Sequence, residues 1–179
     1  MHIGAYMYQI DASDLPETFF LRSTSSWGWA TWNRAWKNFE PDIDVLMNQF
    51  DSRAKYEFEM EGAMNYWKHM RQFKSGKNNS WAIRWYASVF LKQGLSLYPS
   101  KSLIDNIGHD GSGVHSGLND IYKVTLNRSP VTLFPDVIKE DKRAFSLVKS
   151  FLETRKGSLF RRGIRYINQL FSTNTKFVS

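Results

Sequence analysis

The sequence predicts an α/β chain, helix-rich with a few strands. Residues 18–21, Thr-Phe-Phe-Leu, read as a short buried strand, and residues 95–99 alternate apolar and polar as a half-buried strand does. Between them the aromatic residues recur at helical spacing, most clearly Trp81, Trp85 and Val89, with Ala82, Tyr86 and Phe90 alongside. The 179 residues, 42% hydrophobic and 16% aromatic, suffice for one sizeable core, so a domain over 1–138 followed by a tail over 139–179 is expected.

Taken in chain order, residues 2–9 are mixed apolar and aromatic and read as a strand orphaned from its sheet, and residues 11–16 have turn composition. Residues 31–39 read as a helix stopped by Pro41. The string Asp42-Ile43-Asp44 follows that proline and precedes Val45-Leu46-Met47, so it reads as acidic first-turn residues of a short helix reaching Phe50 rather than as a metal site. Asp51 is placed to cap a third helix. Phe58, Tyr66, Trp67 and Met70 fall in a longer helical stretch towards Phe73, with Gly62 a weak point and Gly76 a stop. Residues 79–92 form a buried amphipathic helix ending before Gly94, its aromatic stripe being first of all core. Residues 102–107 read as a strand running into a glycine-rich segment.

The composition excludes several classes. There is no cysteine, hence no disulfide or thiolate metal site, which is compatible with a reducing cytoplasm. No apolar run approaches the ~20 residues that span a bilayer, and the N-terminus has neither a basic start nor an apolar signal core. Residues 1–138 hold 14 Lys and Arg against 14 Asp and Glu, whereas residues 139–179 hold 10 against 3, so the net charge of +7 resides in the tail. That distribution is not a uniformly basic face, and nucleic acid is not the expected partner. In the tail, Phe145, Val148, Phe151 and Leu152 mark one amphipathic helix, Gly157-Ser158 breaks it, and Phe160, Ile164, Ile167 and Phe171 mark another beside Arg161, Arg162 and Arg165. Two readings fit residues 143–171: peripheral contact with an anionic membrane, or an ordinary helix packed on the domain with a solvated basic face.

Four of the seven tryptophans, Trp27, Trp29, Trp32 and Trp36, fall within ten positions beside hydroxyl and amide side chains. Trp27 and Trp29 are spaced to share one face of a strand, and Trp32 and Trp36 one face of a helix, with the junction near Gly28. Indole faces stack on the apolar C–H faces of sugar rings while Ser25, Ser26 and Asn33 can bond hydroxyls, so Trp27, Trp29, Trp32, Ser26 and Asn33 are assigned to recognition of a sugar. Burial in an aromatic core is the competing explanation for each tryptophan taken singly.

This tryptophan segment, residues 25–36, is followed by Ser80-Trp81-Ala82-Ile83-Arg84-Trp85-Tyr86, by Leu97-Tyr98-Pro99 and by residues 102–115, which end in Gly108-His109-Asp110-Gly111-Ser112-Gly113-Val114-His115. Together these strings resemble the C-terminal half of bacterial family 2 glycosyltransferases of the GT-A type, over roughly residues 2–120. A more distant similarity runs to the eukaryotic N-acetylglucosaminyltransferase that acts on mannose-terminated N-glycans. The resemblance implies an inverting transferase that uses a nucleotide-diphosphate sugar and a divalent cation, Mn or Mg. The chain then corresponds to the acceptor-side half of a GT-A fold, lacks the nucleotide-binding βαβ half with its DxD motif, and is expected to be catalytically poor in isolation; a separate N-terminal half is an expected partner.

By the same resemblance His115 is the metal-ligand candidate. Gly111, Ser112 and Gly113 supply a backbone able to approach a diphosphate closely, and Arg84 can pair with that diphosphate or act as a structural ion-pair partner. Related enzymes place an acid just before the Trp81 motif, where this chain has Asn78-Asn79-Ser80; an amide is no base, so either Asp110 or Asp105 substitutes, with Asp110 preferred, or the acid is lost, or the motif is offset by one residue. A tight surface loop with solvated His109 and His115 is the alternative for the glycine-rich segment, and a non-catalytic carbohydrate-binding or interaction module, docking to a membrane or a catalytic subunit, is the alternative for the whole. The expected location is the cytoplasm, with peripheral contact at the inner membrane. His2 and His69 are assigned no role.

Overall fold

The structure, a computed structural model, describes residues 1–106 and 122–155. Four short strands form one mixed sheet: β1 (His2–Gly4), β2 (Thr18–Leu21), β3 (Trp29–Thr31) and β4 (Ser96–Pro99), in the order β2-β4-β1-β3. β1 runs parallel to β4, with His2 opposite Ser96, and antiparallel to β3, with His2 opposite Thr31. The segment expected to be an orphaned strand is therefore an interior strand of the sheet. It fits there because Gly4 has no side chain: a Cβ at that position would lie 2.1 Å from the Tyr98 ring on β4.

Helices α1 (Asn33–Trp36), α2 (Ile43–Met47), α3 (Ser52–Phe58), α4 (Tyr66–Lys74) and α5 (Trp81–Leu91) lie between β3 and β4 in sequence, so the chain is mixed α/β. Their starts are chemically marked. Asp42 Oδ1 accepts from the backbone of Asp44 and Val45, Asp51 Oδ1 from Ala54, and Ser80 Oγ from Ile83. Asp42 is thus an N-cap, while Asp44 forms a 2.5 Å ion pair with Lys74 on α4.

The expected continuous stretch from Phe58 to Phe73 is two helices. Met60, Glu61 and Gly62 all adopt positive φ, which ends α3 and reverses the chain. Such conformations at non-glycine residues cost about 1–2 kcal/mol each. Complete burial of Met60 offsets that cost, as does the 2.8 Å bond from Lys149 Nζ to Glu61 Oε2. Residues 102–106 are not a strand either. Ser102 Oγ accepts from Met7 N at 3.0 Å and donates to Ile104 O at 2.7 Å, so a side chain takes the place of a ladder bond, and Leu103 N donates to Ala5 O at 2.9 Å.

The tail begins inside the fold. Asp141 caps α6 (Lys142–Arg155), Phe20 forms a parallel bridge to Glu140, and Arg22 clasps the Glu140 carboxylate through Nε and Nη2 while lying over the Phe145 ring. Ala144, Phe145, Val148 and Leu152 pack in one core cluster with Met7, Phe19, Leu21, Met60 and Tyr98. The boundary expected at 138/139 therefore falls at the entrance to an element that completes the core. Ala144, Phe145, Val148 and Leu152, on the apolar side of α6, face protein; the second amphipathic segment lies outside the described residues. No helix among the described residues is long and apolar enough to cross a membrane.

Because Leu152 is 2% exposed at the centre of this cluster, Leu152→Ala is expected to destabilise the chain by about 2–5 kcal/mol. Urea denaturation checks this; a change within experimental error would mean that α6 is an appendage.

Candidate functional site

The residues around Gly28 organise the site. Gly28 has φ +52, and a Cβ there would lie 2.4 Å from Ile104 Cδ1, so both its backbone angle and its close approach to Ile104 favour glycine. Gly28 O accepts from Ala5 N at 2.7 Å, and β3 starts at the next residue. This turn separates two tryptophans that the sequence spacing placed on one strand face. Trp27 lies edge-on to Tyr6 and to Tyr122, at centroid distances of 4.7 and 5.5 Å. Trp29 instead stacks on His2 at 5.5 Å and 9°, and meets Trp81 at 4.9 Å and Trp36 at 6.0 Å.

The second group forms an aromatic surface at the free edge of the sheet. Trp36 stacks on Phe39 at 4.8 Å and packs against Trp85 at 5.0 Å. Trp85 is buried, whereas Trp32, Trp36 and Trp81 keep 40%, 39% and 38% of their surface in solvent. Large aromatic rings exposed together mark a recognition surface far better than a lone exposed ring does. Trp32 precedes α1 as its N-cap residue rather than sitting within the helix, and its ring carries the Arg34 guanidinium at 5.0 Å. Asn33 and Ser26 are exposed, the former opening α1 and the latter in the turn before Trp27.

Two side chains of this surface escaped the sequence reading. Trp81, read as core with its helix, lies in the first turn of α5, directly after the Ser80 cap, where the helix end projects from the core that buries Trp85 and Val89. His2 carries no motif, and nothing in its sequence neighbours signals its place. Its Nδ1 accepts from Trp85 Nε1 at 3.1 Å, so in the neutral ring the proton sits on Nε2, which is buried without a hydrogen-bond partner. Burial pulls the His2 pKa down to about 4, against a smaller opposing effect of the Ser25 backbone.

Asp105 is the other unusual group. Its Oδ1 is buried without a hydrogen-bond partner, and the carboxylate adds to the burial and to the Tyr122 effect that together raise the Tyr6 hydroxyl well above its ordinary value. Tyr6 Oη donates to Tyr122 O at 2.8 Å, which connects this group to the Trp27 cluster. Arg84 sits elsewhere: its Nη1 donates to Pro41 O at 2.9 Å, and its guanidinium lies over Phe73 at 4.3 Å and Phe39 at 5.6 Å, so it holds α5 to the α1–α2 connection.

His109, Asp110, Gly111, Ser112, Gly113 and His115 lie outside the described residues. Among the described residues no group of three or more His, Asp or Glu side chains is arranged to hold a metal ion. Asp105 stands there as a single carboxylate and His2 Nδ1 is engaged by an indole, so these residues do not provide a metal donor set.

The buried neutral His2 sets a pH dependence. An unfolded imidazole takes up a proton below about pH 6.5 and the folded one only near the lowered value of about 4. Stability is therefore full above pH 6.5 and declines by about 3 kcal/mol as the pH falls to 4. His2→Gln should flatten that part of a denaturation-against-pH profile; an unchanged profile would assign the acid sensitivity to other groups.

No protein family model, no curated protein and no solved structure matches the chain, so its functional reading rests on these residues and their geometry.

Proposed function

We propose that this chain is the acceptor-side part of a GT-A-type glycosyltransferase that moves a sugar from a nucleotide-diphosphate sugar to a hydroxyl of a glycan or lipid-linked acceptor. One observation carries the reading. Two of the motifs that resemble that family, though distant in sequence, reach the Trp27-Gly28-Trp29 turn: Trp81 lies 4.9 Å from Trp29 and Ile104 packs against Gly28. Tyr98 of the remaining motif donates to Ser23 O at 3.2 Å, ahead of the tryptophan segment.

In this proposal the sugar ring of the acceptor lies on Trp29, Trp32 and Trp81, with Asn33 and Ser26 available to its hydroxyls. Trp27 braces the platform from the Tyr6–Tyr122 side and touches ligand less than Trp29 does. A carboxylate then takes the proton of the attacking hydroxyl. Asp110 is retained in that role, with Asp105, whose buried Oδ1 has no hydrogen-bond partner, as the alternative. A divalent cation bound by the complete enzyme, with His115 among its ligands, would neutralise the departing diphosphate. A cytoplasmic chain with peripheral membrane contact through residues beyond α6 belongs to the same proposal.

A second reading has its own support. Asn78 Oδ1 accepts from Ser80 N, Asn78 Nδ2 donates to His69 O, and Ser80 Oγ caps α5, so the stretch where related enzymes carry an acid serves here to start a helix. That use favours a non-catalytic carbohydrate-binding module.

The two readings separate experimentally. Purified chain given manganese and a panel of nucleotide sugars should transfer poorly, and efficient turnover would overturn the part-enzyme proposal. Adding a separately expressed nucleotide-binding half should restore transfer if the chain is catalytic, and should leave it absent if the chain is a binding module. Under both, Trp81→Ala should weaken glycan binding roughly tenfold with little change in stability, as expected for an exposed stacking ring. Trp27→Ala should instead act chiefly on stability. Unaltered binding in the folded Trp81 variant would remove the platform.

A further inference from the structure

The aromatic surface is assembled from two stretches of chain that carry no acidic residue. Residues 18–39 contain Arg22, Arg34 and Lys37 and no Asp or Glu, and residues 62–104 contain seven Lys or Arg and no Asp or Glu. Trp29, Trp32 and Trp36 come from the first and Trp81 from the second. These stretches hold ten of the 14 basic residues of 1–138, while all 14 acidic residues of that region lie elsewhere in the chain. The balanced charge of the region thus conceals a local segregation.

Part of this basic charge is committed within the fold. Arg22 is held by Glu140, Lys74 by Asp44, and Arg84 by the Pro41 carbonyl and two phenylalanine rings. Arg34 on α1, whose guanidinium lies over the Trp32 ring, and Lys37, the residue that ends α1, form no ion pair among the described residues, and neither does Lys77 in the connection leading to Trp81. The nearest acids along the chain are Glu40 and Asp42, beyond Phe39, and their side chains accept backbone N–H groups of Asp42, Asp44 and Val45. The two stretches that bear the exposed indoles therefore contribute cations and no carboxylate of their own.

We propose that the platform takes an acidic saccharide, a sugar unit bearing a carboxylate or phosphate, whose ring stacks on indole while its anion lies against Arg34 and Lys37. This inference rests on the glycan-platform reading and narrows it to a substrate class. The same ingredients serve single-stranded nucleic acid when aromatic rings stand apart along a basic groove and stack successive bases. Here Trp29 packs directly on Trp81 and beside Trp36, so the rings form one compact cluster and not a row of separated stacking platforms.

The test is a tryptophan-fluorescence titration of the full chain with a neutral oligosaccharide and a uronic-acid oligosaccharide of equal length, at low and high salt. Inorganic pyrophosphate and polyuridylate serve as the other ligands. The acidic sugar should bind at least about fivefold more tightly at low salt, and salt should narrow the gap. Arg34→Gln and Lys37→Gln should each lower acidic-sugar affinity roughly two- to fivefold, and Lys37→Gln should leave neutral-sugar affinity unchanged, which also shows that the platform remains folded. Equal binding of the two sugars would overturn the acidic specificity and leave the glycan platform standing. Binding of pyrophosphate as tight as that of the acidic sugar would make this a plain anion site and overturn the proposal. Binding of polyuridylate alone, or of no ligand at all, would overturn the platform as well.

Discussion

The arrangement depends on how closely β1 can approach its neighbours. Three residues, His2–Gly4, lie between β3 and β4, and the contacts on both sides leave no spare room. Gly4 makes space for the Tyr98 ring, while His2 is stacked on Trp29 and accepts from Trp85. A buried imidazole held neutral in this way joins strand, edge and helix without bringing a charge into the core. Trp29 is thereby presented at the sheet edge with one side braced and its neighbours partly in water. The exposed indoles owe their position to a buried interaction that none of them makes itself.

The same economy shapes the polar groups. Polar side chains outside the aromatic surface are engaged in folding: Asp42 and Asp51 cap helices, Asn78 and Ser80 start α5, and Arg84 secures a connection. Asp105 differs because its buried Oδ1 has no partner. An unsatisfied buried oxygen costs free energy, typically about 1–3 kcal/mol, and such an atom beside an aromatic cluster calls for a functional explanation more than a capping aspartate does.

Much of the element order was legible. The strands near Thr18 and Tyr98, the cap at Asp51, and the stop at Gly76 follow from local rules: alternation, side-chain oxygen geometry and positive φ. The errors have a common cause. Residues 58–73 look like one helix until the demand to bury Met60 turns the chain through three positive-φ residues, and residues 102–106 look like a strand until the Ser102 hydroxyl replaces a ladder bond. In both places a long-range contact outweighed local propensity. The aromatic site was legible in part, since the density of tryptophan between residues 27 and 36 identifies the surface but not which ring faces which way.

By itself the sequence determined the α/β class, the unusual concentration of indole and the amphipathic character of α6, because composition and periodicity are local properties of the chain. Tertiary structure decided the rest. It moved Trp27 and Trp29 into different clusters through the left-handed turn at Gly28, and it brought Trp81 across some fifty positions to meet Trp29. It also drew the start of the supposed tail into the core through Phe145, Val148 and Leu152. The physical reason is that a side chain's exposure depends on which distant surfaces the chain can bury together, and no spacing within one segment encodes that.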